Sequence, residues 1–79
     1  MPTIFRSGRV VIRMFADDHD PPHFHITTPD SEMIVVALSD FVTLRGSVRK
    51  RDYDVAMHWA KVNSSTLWTR WEELNAHRQ

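Results

Sequence analysis

Apolar and polar residues alternate through the first half of the chain and recur at spacings of three and four through the second. Alternation sends successive side chains to opposite sides of a sheet. On that basis residues 3–6, 9–15, 23–28, 32–38 and 41–45 read as strands. The breaks between them are turn chemistry: Ser7-Gly8, Pro29-Asp30-Ser31 and Ser39-Asp40, with Gly46 ending the last run. Within residues 9–15, Val10, Ile12 and Met14 take one side, and Val11, Arg13 and Phe15 take the other.

From residue 50 the period changes. Tyr53, Ala56, Met57 and Ala60, with Val55, Trp59 and Val62, predict a helix over residues 50–62. Asn63-Ser64-Ser65 interrupts it, and Ser64 or Ser65 is placed to cap a second helix whose stripe is Leu67, Trp71 and Leu74, with Trp68 beside it. Strands first and helices last predict an α+β fold in one domain spanning residues 1–79. It is an antiparallel meander of about four to five strands in residues 1–46, followed by two C-terminal helices in residues 47–79 packed on one face. The opposite face is then solvated or covered by a partner, a second copy of the chain included.

Composition narrows the means of support. A chain of 79 residues buries roughly 60–65% of its surface, and with no cysteine it has neither disulfides nor thiolate-bound zinc to add stability. Good packing, a metal held by histidine and carboxylate, or a partner chain remain. There is no apolar stretch of membrane-spanning length and no leader-like start, so a cytoplasmic protein with no membrane contact is expected. Ten basic and ten acidic residues cancel, which removes whole-molecule attraction to nucleic acid. The distribution is polarised all the same. Asp17, Asp18, Asp20, Asp30 and Glu32 surround a histidine segment, whereas Arg45, Arg49, Lys50 and Arg51 form a short basic run.

The histidine segment, Asp17-Asp18-His19-Asp20-Pro21-Pro22-His23-Phe24-His25, is the strongest candidate for chemistry. His23 and His25 are two apart on a predicted strand, so both imidazoles leave the same face while Phe24 and Ile26 point to the core. Pro21 and Pro22 restrict the backbone between His19 and that strand. Three readings follow. His19, His23 and His25 with Asp18 are a ligand set for a divalent transition metal such as zinc. Without metal, His19, His23 and His25 serve as general acid and base, with Arg13 on the adjacent strand steadying phosphate charge. The structural alternative makes the aspartates turn caps and the histidines exposed strand residues. The aspartates would repel an unaided phosphate, which favours a metal, protonated histidines or arginine if the substrate is a phosphodiester.

Arg45, Arg49, Lys50 and Arg51 are candidates for nucleic-acid phosphate contact, weighed against a solvated strand-to-helix junction. Trp59, Trp68 and Trp71 follow helical spacing and read as core before base-stacking residues. Any part of that stripe left exposed would serve a protein partner.

The sequence resembles a known family in its opening Pro2-Thr3-Ile4, its Asp18-His19-x-Pro21-Pro22-His23-Phe24-His25 core, Trp59, and a closing Leu67 with Trp71-Glu72. That family is a small bacterial one that includes the DhiT-type toxins of type II toxin–antitoxin systems, many members of which carry only a domain-of-unknown-function label. The resemblance implies a cytoplasmic toxin neutralised by contact with a cognate antitoxin protein. It matches His19, His23 and His25 to the signature and brings no settled reaction. RNA as target, a ribonuclease activity and the roles above therefore rest on the residue chemistry. A non-catalytic protein-binding module and a metal-stabilised structural domain stand as alternatives.

Overall fold

The computed structural model describes residues 3–16 and 21–76. Among them five strands, β1 (Thr3–Ser7), β2 (Val10–Arg13), β3 (His23–Thr27), β4 (Met33–Ala37) and β5 (Thr43–Ser47), precede two helices, α1 (Lys50–Val62) and α2 (Ser64–Asn75). Each strand pairs antiparallel with its sequence neighbour, in the order β1-β2-β3-β4-β5. This is the predicted α+β meander with its helices last. Neither helix is long and apolar enough to cross a membrane.

The register sets the two faces of the sheet. Ile12 pairs with Ile26 and Ile26 with Ile34, while Phe24 pairs with Val36. These side chains join Val10, Met14 and Leu38 on one side, packed with Ala56, Met57 and Ala60 of α1 and Leu67 and Trp71 of α2. Ile12, Phe24, Ile26, Val36, Ala56, Ala60 and Leu67 are fully buried there. Phe5 stacks on Trp59 at 4.4 Å between ring centroids, extending the contact to the β1 edge. Trp59 and Trp68 pack against the core and Trp71 lies within it, as their spacing predicts.

Four local expectations need correction. Gly46 lies inside β5 and does not end it, so the sheet runs to Ser47, past the expected limit at residue 46. Gly46 has φ +82, and a Cβ there would overlap the carbonyl oxygen of Met33, so only glycine fits this approach to β4. Strand β2 is shorter than residues 9–15, although Met14 still reaches the core. Neither Ser64 nor Ser65 caps α2. The N-cap is Asn63, whose side-chain amide donates back to the Trp59 carbonyl at 3.0 Å instead of capping the new helix. Val55 and Val62, read as part of the α1 stripe, are 41% and 70% exposed.

Candidate functional site

The second face of the sheet is built from the alternate residues of the same strands. Thr3, Arg13, His25, Val35 and Arg45 form one cross-strand row, because each is the register partner of the next. Arg6, Val11, Thr27, Met33 and Ser47 form the adjacent row on one side, and His23 pairs with Ala37 on the other side of the His25 row. Arg13 is thus the direct neighbour of His25, one strand spacing away, and Arg45 lies two spacings away, roughly 10 Å. The five strands contain no aspartate or glutamate. Among the described residues Arg6, Arg13 and Arg45 make no ion pair. The face is a row of cations beside imidazole on a background of valine and alanine, an arrangement that attracts anions.

The two described histidines differ in setting. His23 is only 8% exposed, and its Nδ1 lies 2.7 Å from the Pro21 carbonyl oxygen. A carbonyl can only accept, so Nδ1 carries the proton and donates. The His23 ring centroid is 5.2 Å from that of His25 and 5.3 Å from that of Trp71, so a core tryptophan of α2 backs the histidine face at this point. His25 is half-buried, with Phe15 set edge to face at 4.7 Å and 88°. The expectation that both imidazoles share one side of the sheet agrees with the register, but His23 is buried there and is not an open strand residue.

Asp18 and His19 lie outside the described residues. Among the described residues there is no group of three or more histidine, cysteine or acidic side chains able to hold a metal. Of the four ligands expected from sequence, His23 and His25 are the two whose positions are described, and they are adjacent.

The basic run is divided by the fold. Arg45 faces the histidines from β5, whereas Arg49, Lys50 and Arg51 begin α1. Arg49 pairs with Asp30 at 3.3 Å and Lys50 with Asp54 at 2.7 Å, and the latter contact pushes the Lys50 pKa up. Arg51 lines a cavity with Arg9, Arg49 and Asp52. Sequence reasoning missed this second cluster, in which Arg9 bridges Asp30 and the buried Asp52. Hydrogen bonding to Asp30 is the main cause that raises the Arg9 pKa. The one available signal was the single acid that closes Arg49-Lys50-Arg51-Asp52. The approach of Trp71 to His23 had no local signal at all.

Residues 10–72 match the model of a family described as Domain of unknown function (DUF4160). The chain belongs to the DUF4160 family. The matched span runs from the start of β2 almost through α2, and so takes in Arg13, His23, His25, Arg45 and Trp71. No curated protein and no solved structure matches the chain.

Proposed function

We propose that this DUF4160 chain is the toxin of a toxin–antitoxin pair and that it cleaves RNA on the histidine face of its sheet. The observation that carries the RNA reading is the row in which His25 lies directly across from Arg13, with Arg45 in line, on strands that hold no carboxylate. The toxin reading draws its support from the resemblance of the histidine segment to the DhiT-type proteins. A cognate antitoxin would then be the protein partner.

The reaction follows from the groups present. His25, the more open imidazole, takes the proton of a ribose 2′-hydroxyl. The 2′-oxygen attacks phosphorus, the bond to the 5′-oxygen breaks, and His23 delivers a proton from Nε2 to that leaving oxygen. The products are a 2′,3′-cyclic phosphate and a 5′-hydroxyl. Arg13 and Arg45 hold the non-bridging oxygens, where negative charge accumulates. The division requires a 2′-hydroxyl, so DNA is not a substrate.

The test is cleavage of matched RNA and DNA oligonucleotides by the purified chain, with and without a chelator. RNA cleaved to cyclic phosphate, DNA intact and no effect of chelator are expected. Chelator-sensitive cleavage would move the chemistry to a divalent metal such as zinc on His23 and His25, with Asp18 or His19 completing its ligands. Stoichiometric binding without turnover, unchanged in His25→Ala, would overturn the enzyme reading. The low exposure of His23 favours a second reading in that event, a non-catalytic module that docks a protein. Induced expression in a bacterial host tests the toxin component, which requires growth arrest by wild type and growth under His23→Ala, His25→Ala.

A further inference from the structure

The cavity lined by Arg9, Arg49, Arg51 and Asp52 has a volume of about 250 Å³ and lies away from the histidines. It opens on the helix side, where the start of β2, the β3–β4 turn and the first turn of α1 meet, whereas His23 begins β3 at the other end of the sheet. Its charges can be counted through. Asp52 is 2% exposed and accepts from Arg9 Nε at 3.2 Å. Asp30 accepts from Arg9 Nη2 and is approached by Arg49 Nη2 at 3.3 Å. Two carboxylates thereby answer two guanidiniums. The next acid, Asp54, is taken by Lys50.

Arg51 is left over. It is exposed, lines the cavity and makes no ion pair among the described residues. A cation in the first turn of a helix is unfavourable by a few tenths to about 1 kcal/mol, and no acid offsets this one as Asp30 and Asp54 offset its neighbours. Arg9 is held at two points by Asp30 and Asp52, with Nη1 still to donate, and Arg49 has donors beyond its one ion pair. Among the described residues three guanidiniums thus line this space, and one of them, Arg51, has no ion-pair partner. The lining, among the described residues, contains no aromatic ring on which a base could stack, and the volume lies below the usual range for larger ligands, roughly 300–1,000 Å³.

We propose that this cavity binds a phosphate group, free or as a monoester, with Arg51 supplying the decisive charge and Arg9 and Arg49 supplying further N–H donors. Donors that converge from several directions suit a tetrahedral oxyanion better than a planar carboxylate. The site is independent of the histidine face and survives failure of the ribonuclease reading.

The experiment follows backbone amide shifts of the full chain by NMR during titration with inorganic phosphate, and with one oligoribonucleotide bearing a 5′-phosphate or a 5′-hydroxyl. Chloride at matched ionic strength is the control. Saturable phosphate binding is expected, with the largest shifts over residues 49–52. Arg51→Ala weakens it by about ten-fold or more, the loss of one charge-assisted contact. Arg51→Ala leaves the fold intact because the side chain is exposed and makes no ion pair among the described residues, while the phosphate-induced shifts over residues 49–52 persist in Arg13→Ala and His25→Ala. An Arg51-dependent preference for the 5′-phosphorylated oligonucleotide would identify a nucleic-acid end as the source. Equal response to inorganic phosphate alone would identify the free anion. Absence of saturation, or equal binding by Arg51→Ala and wild type, overturns the site.

Discussion

The two faces of the sheet are made by the same strands and differ in almost every physical respect. On the helix side Ile12, Phe24, Ile26 and Val36 are fully buried in one core cluster with residues of both helices, so that face supplies most of the apolar burial that holds a small chain together. On the other side the alternate residues are Arg13, His23, His25 and Arg45, set among Val11, Val35 and Ala37. A period of two therefore separates stability from chemistry within single strands. His23-Phe24-His25 shows it in three consecutive positions. The separation is incomplete: Val11, Val35 and Ala37 on the second side are buried as well, and Trp71 belongs to the core and also backs His23.

If the comparison is right, substitutions on the two faces should fail in different assays. Phe24→Ala removes a fully buried ring and is expected to cost about 3–5 kcal/mol, enough to leave much of the chain unfolded, as urea or thermal denaturation followed by circular dichroism would show. Gly46→Ala comes next. Its positive φ and the overlap with Met33 predict a loss of about 2–4 kcal/mol, with lost amide protection in β5 and β4. A melting temperature unchanged in this variant would mean that β5 contributes nothing to the sheet.

On the other face the expected pattern reverses. His25→Ala should change stability by less than about 1 kcal/mol yet slow RNA cleavage by about 10²–10⁴-fold in single-turnover assays. Unfolding by this variant would make His25 structural and erase the contrast. Arg45→Ala has the smallest effect, within about 0.5 kcal/mol on stability. It should weaken RNA binding and lower the salt dependence of log K by about 0.7 for one lost phosphate contact on a single strand. A slope equal to wild type would remove Arg45 from the binding surface.

The fold was largely legible because its signals are local. Alternation put Ile12, Phe24 and Ile26 toward the core and Arg13 on the strand next to the histidines, and the three-and-four spacing placed α1 at its observed limits. What escaped depends on parts of the chain meeting. Gly46 looks like a strand breaker from its own propensity, and its role inside β5 exists only because Met33 of β4 lies so close. Asn63, not either serine, stands at the helix junction, with its side chain bonded backwards to Trp59. At the site, the shared face of His23 and His25 and the position of Arg13 were readable from phase alone. The burial of His23 was not, since Trp71 arrives from a helix at the far end of the sequence. The cluster of Arg9, Asp30 and Asp52 likewise joins three separate segments, and no spacing within any of them announces it.

The nearest-neighbour order of the strands has a kinetic consequence. Arg13 and His25 come together when one hairpin, β2 with β3, closes, and no distant segment has to arrive first. Contacts of that kind are formed early and at low entropic cost, so a meander of this type is expected to fold fast for a sheet. The same logic makes the connection between β2 and β3 permissive. Doubling its length would cost only about 0.6 kcal/mol of closure entropy, so the arginine and histidine would stay in register if residues were inserted there.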